Sequence, residues 1–271
     1  MKRPGPVKAY LIDIEGVLVR DKRYEPVPGA VGWMTSLVAA GRPFCLVSNN
    51  TTHRPGDLVD DLARVGFPVT ESHLVGALGQ GMRWLRDRNK GRIRWLGTTL
   101  LEDYWREEGF EIITGGSCDA VVLGANSGLK IRDLDSVLGP VLDEGTDLLC
   151  LHRNLFYLDE SGRRRLGPGA WAAALEALGG AGQVVTVGKP SEGIYREGLK
   201  RVGVTPDEAL FISDDPISDL VTAGRLGMRT AFVLSGKYPD HGVLARLEET
   251  EWPDIVCSRM SDLDIQEEET V

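Results

Sequence analysis

Four short polar stretches carry most of the chemistry available to this 271-residue chain. Asp13-Ile14-Glu15-Gly16 presents two carboxylates, and Ser48-Asn49-Asn50-Thr51 presents a hydroxyl between amides. Gly188-Lys189-Pro190 supplies an ammonium, and Ser213-Asp214-Asp215 supplies further carboxylates, with Asp219 just beyond. Carboxylates gathered in one place repel unless a cation joins them. Where every donor is oxygen, that cation is a hard one, and Mg²⁺ is the usual choice. A divalent ion beside an ammonium and a hydroxyl makes a site for a phosphoryl group. An Asp carboxylate aimed at phosphorus can then act as nucleophile and form an aspartyl-phosphate.

These stretches need elements that bring them together. Each follows a short apolar run that reads as a strand: Ala9 to Ile12, Phe44 to Val47, Val184 to Val187 and Leu210 to Ile212. Amphipathic segments alternate with them, at Gly29 to Ala40, Pro55 to Val65, Glu192 to Val202 and Pro216 to Leu226. Further strands read at Thr230 to Leu234 and Ile255 to Cys257. Such alternation predicts a parallel sheet covered by helices. In an open parallel sheet all carboxyl ends lie on one edge, and ligands bind there. The four polar loops are therefore expected to meet.

The middle of the chain repeats the pattern. Strands read at Ile93 to Leu96, Ala120 to Leu123 and Leu148 to Leu151, and helices near Gly79 to Asp87, Leu100 to Glu107, Leu134 to Leu142 and Trp171 to Leu178. The expected fold is α/β: a doubly wound parallel sheet, Rossmann-like, with an inserted α/β domain. Residues 1–77 and 186–271 form the expected core and 78–185 the insert. Gly179-Gly180-Ala181-Gly182 reads as a hinge between them.

The same residues resemble the haloacid dehalogenase (HAD) superfamily of aspartate-nucleophile phosphatases. Leu11 to Leu18, LIDIEGVL, is similar to its first motif, Ser48 to the second, Lys189 to the third, and Asp214 with Asp219 to the fourth. An insert between the second and third motifs resembles subfamily IIA, with its large α/β cap of the C2 type. Val27-Pro28-Gly29-Ala30, Leu166-Gly167-Pro168-Gly169 and Ser235-Gly236-Lys237-Tyr238 add to the likeness, which extends to nitrophenyl-phosphate phosphatases and to the phospholysine/phosphohistidine/pyrophosphate branch.

The resemblance implies Asp13 as nucleophile and metal ligand, and Glu15 as general acid and base whose main-chain carbonyl also binds the metal. It implies Ser48 as donor to the phosphoryl group with Asn49 and Asn50 beside it, Lys189 as neutraliser of phosphate charge, and Asp214 and Asp219 as metal-site carboxylates. His152 and Arg153 follow a strand of the cap and are expected to select the substrate. The family usually has Asp where this chain has Glu15. The extra methylene matters, because a displacement near 1 Å can cost on the order of 10²-fold in rate. Two functions follow: an Mg²⁺-dependent phosphatase acting on a small phosphorylated metabolite, or a catalytically weak protein that binds Mg²⁺ and phosphate esters with Glu15 as an ineffective acid.

Composition sets the exclusions. Net charge is -9 and no long basic run is present, which speaks against nucleic acid as partner. Arg163-Arg164-Arg165 reads as a solvated hairpin. Cys45, Cys118, Cys150 and Cys257 form no metal or disulfide pattern. Asp13 and Glu15 interrupt the first apolar stretch, so neither a signal peptide nor a membrane span is expected. A cytoplasmic setting fits, as does a homodimer formed through the cap. The acidic tail from Gln266 reads as frayed.

Overall fold

The computed structural model describes residues 6–20, 24–158, 163–179 and 184–265. The Gly180-Ala181-Gly182 portion of the expected hinge, the tip of the arginine hairpin and the tail from Gln266 lie outside them.

Contacts divide the chain into two units. The first comprises residues 1–48, 55–75 and 192–271, and the second 49–54 and 76–191. The sequence reading drew its boundaries after 77 and 185 instead, and did not separate 49–54 from the core.

The first unit is built on a six-stranded sheet of β1 (Ala9–Ile12), β4 (Phe44–Ser48), β5 (Leu74–Gly76), β13 (Ala209–Ser213), β14 (Arg229–Val233) and β15 (Ile255–Cys257). A hairpin of β2 (Val19–Arg20) and β3 (Glu25–Pro26) follows β1. The spatial order is β15-β14-β13-β1-β4-β5. Neighbours from β15 across to β4 run parallel. The chain builds outward from β1 to β5, then returns to β13 on the other side, so the order reverses between β1 and β13. Open α/β sheets bind ligands at such a switch point.

Side-chain alternation explains the double winding. Tyr10 and Ile12 of β1 join Leu46, Ile212 and Val233 in one apolar cluster, with α1 (Ala30–Ala39) and α2 (Pro55–Arg64). Leu11 joins Cys45, Val47, Phe211 and Phe232 on the opposite face, under α7 (Glu192–Val202) and α8 (Val221–Arg225). Successive side chains of a strand point to opposite faces, so strands apolar at every position need cover on both. Gly198 lets α7 come close, since a Cβ there would lie 2.9 Å from a Leu11 methyl.

The second unit repeats the scheme. Its five-stranded parallel sheet has the order β12-β9-β8-β6-β7. These strands are β6 (Arg92–Leu96), β7 (Glu111–Ile112), β8 (Ala120–Leu123), β9 (Asp147–Cys150) and β12 (Val184–Thr186). One face packs Trp95, Val122 and Leu149 with α3 (Ala77–Arg86) and α4 (Glu102–Glu107). The other packs Val121, Leu123 and Leu148 with α5 (Ile131–Leu138) and α6 (Pro168–Ala177). A hairpin of β10 (Phe156–Leu158) and β11 (Arg164–Leu166) lies between β9 and α6 in the sequence.

One expectation is corrected here. The strand before Lys189 was read as part of the core sheet, but β12 pairs with β9, Val184 opposite Leu148. An apolar triplet predicts a strand without saying which sheet accepts it. Two helices are also shorter than expected. The segment from Leu134 ends in a wide π-type turn at Gly139–Asp143, where Pro140 cannot donate to the helix ladder. The segment from Pro216 opens with a similar turn, Pro216–Leu220, before α8 begins. Among the described residues no helix is long and apolar enough to cross a membrane.

Candidate active site

Four adjacent strands of the six-stranded sheet, β14, β13, β1 and β4, end in polar loops on one edge. Asp13 follows β1 and Asp214 follows β13, and these strands are neighbours in register, Ile12 opposite Ile212. The Asp13 N–H donates to the Ile212 carbonyl at 2.9 Å, which extends the ladder to the strand tip. Parallel neighbours lie about 4.8 Å apart. Asp13 therefore stands opposite Ser213, with Asp214 one residue further along, so both acidic residues leave the sheet at the switch point. Both residues are buried, as are Asp215 and Asp219.

Each carboxylate is held. Asp13 Oδ1 accepts from the Ile14 N–H at 2.8 Å. Asp214 Oδ2 accepts from the Lys237 N–H at 2.6 Å. Asp215 caps the following turn, its Oδ1 accepting from the Ser218 N–H at 3.0 Å, and its Oδ2 accepts from Lys237 Nζ at 2.6 Å. Asp219 Oδ2 accepts from the Ser213 hydroxyl at 2.7 Å, and Ser213 Oγ in turn accepts from the Asp215 N–H at 3.1 Å. Ser213, where the resemblance leads one to expect Gly, thus ties two of the carboxylate residues together.

The loop after β14 closes the arrangement. Ser235 Oγ donates to the Gly16 carbonyl at 2.6 Å. Gly16 has φ +85°, and a Cβ at either Gly16 or Gly236 would overlap the Asp214 carboxylate. Only glycine lets both main chains pass so near that group. Glu15 lies in this turn, half-buried, bridged to Val19, with the Gly16 N–H donating to the Val19 carbonyl at 2.8 Å. Ser48, at the tip of β4, is buried.

Electrostatics follow from the crowding. Burial, and after it the carboxylates of Asp219, Asp13 and Asp215, push the Tyr195 phenol well above its ordinary value. It therefore stays protonated and donates to the Asp219 carbonyl at 3.0 Å. Burial alone would pull the Lys237 ammonium down, but Asp215 and Asp214 outweigh it and hold the group above the ordinary lysine value.

The donor set fits a hard divalent cation: carboxylate, hydroxyl and main-chain oxygen, with no thiolate or imidazole among the groups just described. Among the described residues, no three His, Cys, Asp or Glu side chains form a ready metal cage. A cation held here would rest on one or two carboxylates and would take the rest of its shell from main-chain oxygen and water. Mg²⁺ usually binds that way, whereas Ca²⁺ takes more oxygen ligands.

The second unit holds the remaining expected residues. Lys189 is 2% exposed. Asn49 grips its main chain at both ends: Asn49 Oδ1 accepts from the Lys189 N–H at 2.8 Å, and Asn49 Nδ2 donates to the Lys189 carbonyl at 3.1 Å and to Asn154 Oδ1 at 3.2 Å. The preceding Gly188 is packed so that a Cβ would meet the Leu151 carbonyl and Asn49 Oδ1. Asn50 Oδ1 accepts from the N–H groups of Thr52 at 3.0 Å and His53 at 3.1 Å, an Asx turn. The side-chain hydrogen bonds of Asn49 and Asn50 shape the loop and fix the Lys189 peptide.

His152 is buried, its Nε2 3.5 Å from Thr51 Oγ1, which accepts from the Ala125 N–H at 2.9 Å. Arg153 was expected as a substrate selector and acts instead as a strut. Its Nε donates to Thr186 Oγ1 at 2.8 Å, and both terminal nitrogens donate to the Glu176 carboxylate. Bidentate pairing of this kind fixes the guanidinium plane. Ser235, Gly236 and Lys237 enter the sequence reading only as part of the likeness, with no role assigned. The signal for a role was available, since the strand from Thr230 also ends in a polar loop.

A family model described as haloacid dehalogenase-like hydrolase matches residues 10–111, and a second, HAD-hydrolase-like, matches 186–263. The human haloacid dehalogenase-like hydrolase domain-containing protein 2 is 31% identical over 234 residues, 86% of each chain. The bovine phospholysine phosphohistidine inorganic pyrophosphate phosphatase is 28% identical over 88% of this chain and 86% of its own. Among solved structures, the p-nitrophenyl phosphatase from Archaeoglobus fulgidus superposes with a TM-score of 0.81 at 26% identity, covering 95% of this chain and 98% of that one. With the two family models together matching most of the chain and the human relative aligned along most of both chains, the chain belongs to the haloacid dehalogenase-like hydrolases, in the phosphatase group of subfamily IIA.

Proposed function

We propose that the chain is an Mg²⁺-dependent phosphatase that hydrolyses a small phosphorylated metabolite through an aspartyl-phosphate on Asp13. The observation that carries this reading is the pair Asp13 and Asp214, both buried at the tips of neighbouring strands at the switch point, with the buried carboxylates of Asp215 and Asp219 following in the same loop. The bound cation would be held by Asp13, Asp214 and the Glu15 carbonyl, with Asp219 behind them, and would supply charge neutralisation for the phosphoryl group.

The chain's own groups would do the rest. An Asp13 oxygen attacks phosphorus while the bond from phosphorus to the ester oxygen breaks, and Glu15 gives its proton to the leaving oxygen. Glu15, now a carboxylate, takes a proton from water, which attacks the same phosphorus and releases inorganic phosphate, restoring Asp13. The Ser48 hydroxyl donates to the phosphoryl oxygens together with the loop N–H groups of Asn49 and Asn50. Lys189 offsets phosphoryl charge, and His152 shapes the choice of ester. Four free cysteines, three of them buried, favour a reducing, cytoplasmic setting. A homodimer through the second unit, residues 78–185 taken as a cap, completes the reading, and sedimentation would test it.

Purified protein should release phosphate from a nitrophenyl phosphate probe in Mg²⁺, and Asp13→Asn should abolish turnover. Activity that survives this substitution, or persists in excess chelator, would overturn the reading. Glu15 separates the enzyme from the weak binder. Glu15→Gln should lower turnover by roughly 10²- to 10⁴-fold, the usual worth of general acid and base help. Turnover unchanged by this substitution would make the chain a binder of phosphate esters with an idle Glu15.

A further inference from the structure

Lys237 contacts two of the clustered carboxylates in different ways. Its main-chain N–H donates to Asp214 Oδ2, and its ammonium sits 2.6 Å from Asp215 Oδ2, with the two side chains 17% and 7% exposed. The other oxygen of Asp215 is taken up by the Ser218 N–H. Each oxygen of Asp215 is therefore engaged, one by the turn it caps and one by a half-buried ammonium, although the residue is chained directly to Asp214.

We propose that Lys237 is a metal-selectivity residue, an internal cation that withholds Asp215 from the divalent ion and keeps the site at two carboxylates. This rests on the reading of Asp13 and Asp214 as the ligand pair. The physical ground is ligand count. Mg²⁺ is small, holds its waters and is satisfied by one or two carboxylates, whereas Ca²⁺ takes six to eight oxygens and gains from each added carboxylate. An ammonium on Asp215 Oδ2 removes the third carboxylate by pairing, without removing the residue that caps the turn. The Lys237 main-chain N–H would meanwhile hold one Asp214 oxygen still, so the other faces the ion in a fixed direction.

The test is direct binding of Mg²⁺ and of Ca²⁺ by calorimetry, without substrate, to the wild type, Lys237→Met, Lys237→Arg, Asp215→Asn and the double variant Lys237→Met/Asp215→Asn. Lys237→Met should tighten Ca²⁺ binding by on the order of tenfold relative to Mg²⁺. Lys237→Arg, which keeps the cation, should restore the wild-type ratio. In the double variant the Ca²⁺ gain should vanish, because Asn still caps the turn but brings no extra charge. A Ca²⁺ to Mg²⁺ ratio unchanged by Lys237→Met would overturn the inference. So would a gain that survives Asp215→Asn, since it would be the through-space effect of one lost positive charge. If Lys237→Met fails to fold, Lys237→Gln carries the same comparison. A wild type that binds neither ion would instead refute the metal-site reading itself.

Discussion

The carboxylates at the strand tips of the first unit are gripped from their own sheet, by the Ser213 hydroxyl, the Lys237 peptide and the Lys237 ammonium. Lys189, in the second unit, is gripped through its main chain by the neutral side chain of Asn49, 140 positions away. The contrast is one of which atoms are fixed. In the first case the charged group itself is oriented, as a site built around a cation requires. In the second the peptide is oriented, and the clamp leaves the ammonium's own pairing to other groups. Charge is thus managed by direct pairing where carboxylates crowd together, and by backbone placement where a single cation is buried.

The largest effect should come from the place where main chains press on Asp214. Gly16→Ala forces an L side chain into a left-handed conformation, at about 1–2 kcal/mol, and drives its Cβ into the carboxylate. We expect stability to fall by about 3 kcal/mol in urea unfolding, in the range of overpacking and strain, and turnover to fall by roughly 10²-fold, as for a reacting group displaced by about 1 Å. Near-normal turnover would mean that this contact does not set the direction of Asp214.

The second unit should answer more gently. Asn49→Ala leaves the Lys189 N–H and carbonyl to find new partners in a buried place, at about 1–3 kcal/mol per unsatisfied group. Water can reach part of the gap, so a net loss of about 2 kcal/mol is expected. Asn49→Asp keeps the acceptor for the Lys189 N–H and loses the donor to its carbonyl, so it should fall between wild type and Ala. If Asp is as damaging as Ala, the donor half carries the clamp.

The two regions also differ in how much of them a reader of the sequence could see. Asp13, Asp214 and Asp219 announce themselves, because acidic residues directly after apolar strands are easy to place on one edge once alternation has predicted a parallel sheet. Chemistry that depends on a distant partner was not visible. Asn49 reads as one more turn-former, since its role depends on a peptide far along the chain. Arg153 reads as a polar loop residue for want of any sign that Glu176 would meet it. β12 shows why: three apolar residues fix a strand, and only packing decides that Leu148 and not a core strand lies beside Val184. Lys237, quoted only as part of the likeness, shows no role in the sequence for another reason. Lysines are usually solvated, and only the carboxylates of Asp214 and Asp215 beside it give this one a half-buried place.

A smaller effect sharpens the first region. Ser235→Ala removes the hydroxyl that joins the β14 loop to the Gly16 carbonyl. The loss should be about 1 kcal/mol, the net worth of one such bond. Because Lys237 holds Asp214 independently, the metal affinity should change less than in Gly16→Ala. Calorimetry with Mg²⁺ on both variants makes the comparison, and equal losses would show that the loop moves as one piece.

The smallest effect belongs to the Arg153 strut and has a definite sign with pH. The hydrogen-bonded guanidinium holds the Glu176 carboxyl below its ordinary value of 4.5, and burial opposes this only in part. A carboxyl depressed in the folded state adds stability above its unfolded value and loses it as pH falls through the folded one. The pair should therefore contribute fully at pH 7 and fade below about pH 4.5. Glu176 is 37% exposed, so solvent screening limits the whole contribution to under about 1 kcal/mol. Arg153→Met keeps most of the side-chain volume and removes the charge. Its stability deficit in urea should be present at pH 7 and should shrink as pH falls below 4.5. A deficit that stays constant with pH would place the worth of Arg153 in packing and in its bond to Thr186, which does not titrate.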